Sequence, residues 1–430
     1  MKVLIISHNP TSTYQSMGKT FVSLFSEFDK KELCQLYLYP TIPDIDYCNS
    51  YYRITDKDVM KSYFHFGRVE SREVLNDEID TTKHEKFENK KDEKLYNKKK
   101  KYSTMLIRDL MWKCARYYNK SLKNWIIKEK PTCIFLAPGE AKFIYDLAMR
   151  ISKDYNIPIV TYICDEFYFV EKKKQVMGQL QLSLLQHKIE QLMKVTKKNV
   201  VICDSLKEQY TKKFNVPAIT IMTGSNYSIA QKITNKKEVS SITYMGNLAY
   251  KRYESIAEIG KVLDEINEEH DLKYRLKLYT GNLSEEAQKA FSCVKSIEYC
   301  GYVTGDAFRA KFEESDILLH TESFDKECID RVKNSISTKI ADSLGSGIPL
   351  LAYGPDNIAS IEYLINNKCA YVILNKAELK KGLMKLMIDS ELRNEISDNG
   401  IKIASINHTS SCNSMRLREM IDKEIGEKGK

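Results

Sequence analysis

Hydroxyl side chains, a lysine and a carboxylate lie close together in residues 335–345, SISTKIADSLG. The segment opens an amphipathic helix, so Ser337, Thr338 and Lys339 lie at its amino-terminal end. Backbone N–H groups, the helix dipole, hydroxyl donors and a fixed cation reinforce one another there, which predicts an anion site. Asp342 lies one turn further along, where it could accept hydrogen bonds from a ribose diol. The alternative is an ordinary capped helix with a surface lysine.

A second candidate site is a pair of carboxylates, Asp165 and Glu166, directly after the apolar run 158–164. Folds with parallel sheets place their chemistry at the carboxyl ends of strands, where this pair is expected. An Asp at this point can equally cap a helix that leads into an aromatic cluster. Both interpretations stay open, and they are compatible.

A third candidate is the polar loop of residues 9–20, which ends in Gly18-Lys19-Thr20. A phosphate-binding P-loop requires glycine at position 13, which is Thr13, so a P-loop NTPase is not favoured. A glycine at a helix start can still present backbone N–H groups to an anion. Gly18 and Lys19 are therefore candidate anion-binding residues.

The composition indicates a soluble, globular chain with no metal centre. Of the 430 residues, 43% are hydrophobic and 29% charged, and no apolar stretch approaches the roughly 18 residues that span a bilayer. The apolar run after Lys2 is too short for a secretory signal. The 11 cysteines include no C-x-x-C pair and the seven histidines no H-E-x-x-H, so we expect reduced thiols and a cytoplasmic location.

The net charge of +9 is too modest for a dedicated nucleic-acid binder, but its placement is uneven. Residues 83–101 hold nine lysines against four acids, which fits a solvated loop or a patch for anionic lipid or an acidic acceptor. Segment 102–128 has apolar residues at helical spacing with basic residues around them. It is an amphipathic helix with a core stripe, or a surface that rests on an anionic membrane. The stripe comprises Ile107, Met111, Cys114, Tyr118, Leu122 and Trp125.

These candidates need elements to position them, and the chain alternates strand and helix patterns throughout. Strands are predicted at 2–7, 34–38, 133–136, 159–163, 200–203, 242–245, 275–279, 297–299, 317–320, 349–352 and 370–373. Residues 40–101 interrupt the alternation and suggest an insertion or mobile region. We expect an α/β protein with two Rossmann-like, doubly wound parallel-sheet domains facing each other across a cleft, which is the default ligand site. The expected bounds are 1–228, 240–405 and a C-terminal helix at 406–430 that could pack back on the N-terminal domain.

The second half carries a family resemblance. The order of strand, Glu-containing loop, S-x-x-K-I-x-D-x-L-x-S-G-x-P and strand resembles the donor half of GT-B glycosyltransferases of the family 4, or group 1, type. The strings ITYMGNLAYKRYESI and IEYCGYVTGDAFRAKFEESDILLH are similar to two further blocks of that family. The resemblance covers about residues 242–374, and the first half matches in outline only.

The resemblance implies a role for several donor-side residues. Gly246 would make the tight turn beside the donor diphosphate. The family's arginine after that glycine is replaced by Asn247, so Lys251 or Arg252 must supply the charge. Asp342 stands where the family's second glutamate holds the ribose, and Lys339, with Ser337 and Thr338, would approach the phosphates.

The resemblance also implies catalytic carboxylates. The family's first glutamate falls on Asn334 here, and Glu322, in the preceding loop, is the nearest replacement for a sugar-contacting role. In the first half, Cys164-Asp165 stands where the family often has a histidine. Asp165 is therefore the first choice for the acceptor-side carboxylate and Glu166 the second.

The implied function is transfer of a sugar from a nucleotide-diphosphate sugar to an acceptor hydroxyl, in bacterial-type cell-surface polysaccharide or glycoconjugate synthesis. By the resemblance it is metal-independent and retaining, with the nucleotide sugar as co-substrate and no cofactor. Expected partners are this donor, a saccharide or lipid-linked saccharide acceptor and an anionic membrane surface at the cytoplasmic face, but no nucleic acid. The alternatives are a nucleotide-sugar epimerase and a non-catalytic sugar-nucleotide-binding partner protein.

Overall fold

The computed structural model divides the chain into two compact units. Unit 1 comprises Met1–Thr223 and Ser410–Lys430, and unit 2 comprises Gly224–Thr409. The structure describes residues 1–13, 16–63, 69, 71–79, 102–170, 173, 175–225, 228–230, 238–281, 283–303 and 305–426. The lysine-rich segment 83–101 lies outside the described residues.

Unit 1 is built on an eight-stranded sheet. Its strands are β1 (Val3–Ser7), β2 (Leu33–Tyr37), β3 (Ser50–Arg53), β4 (Arg72–Val74), β5 (Cys133–Leu136), β6 (Ile159–Ile163), β7 (Thr196–Val201) and β8 (Ala218–Thr220). The spatial order is β4-β3-β2-β1-β5-β6-β7-β8, and every pair is parallel except β3 with β4. The helices before residue 223 are α1 (Ser16–Leu24), α2 (Asp56–Ser62), α3 (Tyr102–Cys114), α4 (Lys120–Glu129), α5 (Lys142–Tyr155), α6 (Val176–Met193) and α7 (Asp204–Phe214).

The central strands form because both faces of a parallel sheet are covered, so that nearly every side chain must be apolar. All five residues of β1 are buried, as are all five of β6. The interpretation of residues 40–101 as an interruption is wrong for their described part. There β3 extends the sheet by pairing with β2, and β4 adds an antiparallel edge strand.

The amphipathic segment 102–128 does not form one continuous helix. Helix α3 ends at Cys114, and α4 begins at Lys120 after an Asn119 cap whose side chain accepts the Leu122 N–H. Leu122 is fully buried, whereas Ile107 is 66% exposed, so the core interpretation is wrong at Ile107. No helix among the described residues is long and apolar enough to cross a membrane.

Unit 2 is built on a six-stranded, fully parallel sheet in the order β11-β10-β9-β12-β13-β14. Its strands are β9 (Ser241–Met245), β10 (Arg275–Tyr279), β11 (Ile297–Gly301), β12 (Ile317–Thr321), β13 (Leu350–Tyr353) and β14 (Tyr371–Ile373). Its helices are α8 (Arg252–His270), α9 (Glu285–Phe291), α10 (Gly305–Glu313), α11 (Lys326–Val332), α12 (Thr338–Gly345), α13 (Ala359–Asn366), α14 (Leu379–Ile388) and α15 (Ser390–Asn407). Leu263, Leu276, Ile317 and Leu351 are fully buried in its core.

The last helix, α16 (Ser410–Gly426), belongs to unit 1 although it follows unit 2 in the chain. It packs on α1, with Leu417 and Ile421 fully buried. Arg418 donates two hydrogen bonds, of 2.9 and 2.7 Å, to the Glu32 carboxylate. Unit 1 is thus assembled from two separate stretches of sequence.

Candidate functional site

A polar pocket in unit 2 opens at the carboxyl ends of β9 and β12, which are neighbours in the sheet. This is the edge at which open α/β sheets bind ligands. Its polar lining comes from β9, the start of α8, the end of β12 and the start of α12. These residues include Thr243, Asn247, Arg252, His320, Glu322, Ser337, Lys339 and Asp342.

Lys339 is, with Arg252, one of two lysine or arginine side chains in the described lining of this pocket. Among the described residues, none is recorded in a hydrogen bond or ion pair with its Nζ atom. Burial lowers the lysine pKa from 10.5 to about 8, with a further contribution from the nearby Arg252 charge. A desolvated ammonium without a partner costs folding free energy, so an anionic ligand is the natural counter-charge.

Gly246, directly after β9, makes room for this ammonium group. A Cβ atom built on Gly246 would lie 2.8 Å from Lys339 Nζ and 3.0 Å from the Tyr244 hydroxyl. Any side chain here would therefore push the lysine head group out of its present position.

We expect Gly246→Ala to lower nucleotide-sugar affinity by about tenfold while costing under about 1 kcal/mol of folding stability. The clash is with the end of a flexible side chain, which can move cheaply, but the moved ammonium no longer faces the ligand. Titration calorimetry and thermal denaturation measure the two effects separately. Unchanged affinity would show that the position of Nζ is unimportant.

Arg252, the first residue of α8, is held in the pocket by Glu322. Its Nε and Nη2 atoms each lie 2.9 Å from one oxygen of the Glu322 carboxylate, a two-bond arrangement that fixes the guanidinium plane. Glu322 is 3% exposed, and its backbone carbonyl accepts a 2.9 Å hydrogen bond from the Ser255 hydroxyl. Because both carboxylate oxygens bind Arg252, Glu322 is a positioning residue for that arginine in this structure.

Asn247, at the position where the resemblance led us to expect an arginine, also orients Arg252. Its Oδ1 accepts hydrogen bonds from Arg252 Nη1 at 3.1 Å and from the Ala249 N–H at 3.2 Å. The guanidinium at position 252 therefore enters the pocket from the start of α8, with the asparagine amide as a second support.

Ser337 and Asp342 complete the α12 side of the pocket. Ser337 is the N-cap of α12, and its hydroxyl accepts the Lys339 N–H at 3.4 Å. Asp342 is 7% exposed, and its Oδ1 accepts a 3.0 Å hydrogen bond from the Ser225 hydroxyl. The structure thus brings together Lys339, Asp342, Arg252, Ser337 and Gly246.

Lys251 and Thr338, two further residues of the expected donor-binding set, also lie outside the pocket lining. Lys251 forms a 2.5 Å ion pair with Asp325, the N-cap of α11, and this lysine lowers the pKa of the Asp325 carboxyl to about 2. Thr338 is exposed on the first turn of α12 and does not line the pocket. Of the two cations proposed to replace the family's arginine, only Arg252 reaches the site.

Asp165 and Glu166 follow β6 in unit 1, at the expected end of that strand. Asp165 is exposed to solvent, yet the surrounding chain partly desolvates the carboxylate and raises its pKa. Glu166 Oε1 accepts backbone N–H groups from Tyr168 and, at 2.7 Å, from Phe169. Glu166 therefore fixes its own turn, and burial raises its pKa, while Asp165 presents its carboxylate at the surface.

Gly18 and Lys19 lie in α1, which follows β1. A Cβ atom on Gly18 would lie 2.6 Å from the Ser12 backbone nitrogen and 2.8 Å from the Pro10 carbonyl oxygen. The glycine thus allows the loop after β1 to pass directly over the helix start. Lys19 is exposed.

Three further residues of the unit 2 pocket were not predicted from the sequence. The side chain of His320, on β12, is 10% exposed, and its pKa falls to about 4 through desolvation and the nearby Arg252 and Lys339 charges, so it is neutral at pH 7. Phe308 and Phe312, on α10, stack with ring centroids 5.8 Å apart and line the pocket wall. Their spacing of four residues on α10, which places both rings on one face of the helix, could have predicted that they act together.

The similarity of this chain to several solved structures extends over nearly its whole length. Sucrose-phosphate synthase from Thermosynechococcus elongatus matches with 8% identity and a TM-score of 0.61, covering 99% of this chain and 100% of that one. HepE from Anabaena, solved with UDP and glucose, matches with 8% identity and a TM-score of 0.61, covering 98% and 100%. WaaG, a glycosyltransferase involved in lipopolysaccharide biosynthesis, matches with 11% identity and a TM-score of 0.54, covering 96% and 98%.

The chain has the GT-B glycosyltransferase fold. Two units with parallel sheets and these whole-length similarities establish it, as the resemblance in residues 242–374 implied. No protein-family model and no curated protein sequence matches the chain. At identities of 8–11%, the similarity describes the fold, and the chemistry must be argued from the pocket itself.

Proposed function

We propose that this protein is a glycosyltransferase that moves a sugar from a nucleotide-diphosphate sugar to an acceptor hydroxyl. The observation that carries the proposal is the desolvated Lys339 ammonium beside Arg252, at the carboxyl edge of the unit 2 sheet. The structural neighbour HepE, whose solved complex contains UDP and glucose, supports this choice of ligand class.

In the proposed reaction, the donor sugar leaves its nucleotide as negative charge builds on the diphosphate. Lys339, Arg252 and the backbone N–H groups at the start of α12 face that charge. Preorganised cations and dipoles are worth most where water is excluded, because they need no reorganisation as the bond breaks. Asp342, one turn along α12, would accept hydrogen bonds from the ribose hydroxyls.

We propose that the reaction is metal-independent and retaining, and that it serves cell-surface polysaccharide or glycoconjugate synthesis in the cytoplasm. The chain's own cations supply positive charge for the leaving group, and the family resemblance implies retention. WaaG is a structural neighbour from lipopolysaccharide biosynthesis. Asp165, exposed beyond β6, remains the proposed acceptor-side carboxylate. NMR of the product's anomeric proton would test retention directly.

The proposal is tested with a thermal-shift panel of UDP-, GDP-, CMP- and ADP-sugars. At a ligand concentration of about 100 times Kd, binding adds about 2.7 kcal/mol to the folding free energy, which raises Tm by several degrees. We expect one nucleotide class to stabilise the protein and Lys339→Met to abolish that shift. If every sugar nucleotide leaves Tm unchanged at millimolar concentration, the donor site is wrong.

Donor affinity is expected to be constant below about pH 8 and to fall at higher pH. The free protein's Lys339 has a pKa of about 8, and a bound diphosphate raises it by stabilising the charged form. Between these two pKa values, binding must take up a proton, so affinity falls by about tenfold per pH unit. Calorimetry from pH 6.5 to 9.5 measures this. Lys339→Arg, which stays charged throughout, is expected to show no such fall.

One observation favours a second function, non-catalytic binding of sugar nucleotides. Both oxygens of Glu322 bind Arg252, and Asn334 stands where the family's first glutamate falls, so among the described residues of this pocket Glu322 offers no free carboxylate oxygen to the sugar. Under this alternative, nucleotide sugars stabilise the protein but are neither hydrolysed nor transferred. The thermal-shift panel followed by product analysis separates the two functions.

A further inference from the structure

Unit 1 contains a second pocket, at the carboxyl ends of its two central strands. His8 follows β1 and Gly139 and Glu140 follow β5, while α3, α5 and α6 supply the remaining walls. From β1, the strand order runs through β2 in one direction and through β5 in the other. Such a switch point leaves a crevice between the connections, which is where α/β sheets accept ligands.

Two side chains line this pocket with buried hydrogen-bond donor atoms that the described residues do not use. Gln181 is 4% exposed, and its Oε1 accepts a 2.5 Å hydrogen bond from Lys142, while its Nε2 has no partner. Arg108 donates from Nε to Asp56 at 2.8 Å, and its Nη2 is buried without a partner. Buried donors are nearly always satisfied in folded proteins, so these two call for a ligand with acceptor oxygens.

The positive charges around this pocket are already neutralised, in contrast to Lys339 of unit 2. Arg108 is paired with Asp56, and Lys142 is paired with Asp109. Glu140 adds an exposed negative charge at the rim. No described residue in the lining offers an uncompensated cation, so the pocket is poorly suited to a phosphate or carboxylate.

This pocket also has an apolar wall, and an aromatic ring holds the Arg108 donor in place beside it. Met105 and Ile144 provide apolar surface, and the Arg108 guanidinium lies 5.0 Å from the centroid of the Phe143 ring. Trp112 stacks on the same Phe143 ring, with the two ring centroids 3.9 Å apart. The donors are therefore held rigidly beside an apolar wall, which suits a ring that carries both hydroxyls and C–H faces.

We infer that this unit 1 pocket binds an uncharged saccharide ring, with Gln181 Nε2 and Arg108 Nη2 donating to its hydroxyl oxygens. The inference rests on the proposed function. It assigns the acceptor to the class of neutral saccharide units and excludes sugar phosphates from this subsite. Acceptor recognition then differs from donor recognition in kind, because one pocket selects hydroxyl groups and the other selects negative charge.

The test is ligand-observed saturation-transfer NMR on the full chain, with methyl glycosides of common hexoses and N-acetylhexosamines and with the corresponding sugar 6-phosphates. We expect a neutral glycoside to bind, and Gln181→Met to weaken that binding by about tenfold or more, because a hydroxyl loses its donor. Gln191→Met is the matched control, since Gln191 lies on the same helix outside the pocket lining. Arg108→Lys keeps the positive charge beside Asp56 but removes the planar guanidinium and with it the Nη2 donor. It is the second variant if Gln181→Met does not fold.

Three results would overturn the inference: binding of the sugar phosphates alone, no glycoside binding at about 10 mM, or equal binding by the wild type and both pocket variants. Nucleotide-sugar binding is measured by thermal shift on the same samples. Glycoside binding without nucleotide-sugar binding would defeat the proposed function and leave this pocket assignment standing. The reverse result would defeat the pocket assignment alone.

Discussion

Lys339→Met is expected to lower glycosyl transfer by about 10²–10³-fold while raising the thermal stability of the ligand-free protein. The activity falls because the leaving diphosphate loses a desolvated cation. The stability rises because the native state no longer holds an ammonium group that burial disfavours. A difference between a lysine pKa of 10.5 and one of about 8 corresponds to about 3 kcal/mol.

The stability gain should depend on pH in a defined direction. Below pH 8 Lys339 is charged in both folded and unfolded chains, and the wild type bears the full cost of burial. From about pH 8 to 10.5 the unfolded chain holds the extra proton, so wild-type stability rises with pH relative to the variant. The advantage of Lys339→Met therefore shrinks across this window, which thermal denaturation at pH 7 and pH 10 measures.

Lys333→Met is the matched control for Lys339→Met, because Lys333 is exposed at the end of α11 and does not line the pocket. It should change neither transfer nor Tm appreciably. A Lys339→Met protein with wild-type transfer rates would contradict the proposed role of the ammonium group. A destabilised Lys339→Met protein would instead show that Lys339 has a stabilising partner.

Arg252→Met is expected to destabilise unit 2 by about 3–5 kcal/mol and to reduce transfer severely, because it leaves Glu322 buried without its partner. The unpaired carboxylate also repels the donor diphosphate. Adding Glu322→Gln removes that charge, so the double variant should regain most of the lost stability. Transfer should stay low, since the guanidinium is still absent.

The wild type, the two single variants and the double variant form a double-mutant cycle. Denaturant unfolding measures their stability, and initial-rate kinetics measure their transfer activity. Glu322→Gln alone retains the guanidinium but releases it from its two-bond arrangement, so we expect a smaller loss of transfer than for Arg252→Met. Recovery of transfer in the double variant would refute the role of Arg252. Equal stability of all four proteins would show that the ion pair contributes nothing to folding.

The parallel strands were predictable from the sequence because burial on both faces imposes a continuous apolar run. Residues 159–163 and 275–279 were predicted with the bounds that the structure gives. Strand β3 was missed because its sequence, SYYR, contains no aliphatic residue, although all four side chains are buried in unit 1. Tertiary packing, which no local pattern reports, supplied its place in the sheet.

The candidate site was predictable only where its residues are neighbours on one helix. Ser337, Lys339 and Asp342 share the first turns of α12, so their spacing alone indicated a common site. The Arg252–Glu322 pair joins residues 70 positions apart, and only the adjacency of β9 and β12 brings them together. The unit 1 pocket was missed for the same reason, since its donors come from different helices.

The return of α16 to unit 1 has a consequence for biosynthesis. Residues 224–409 emerge from the ribosome as an uninterrupted stretch and can fold at once. Unit 1 begins first, yet α1 lacks the helix that covers it until residues 410–426 have been translated. During that interval the apolar surface that later meets Leu417 and Ile421 stays open, so the unit whose synthesis starts first is the one that matures last.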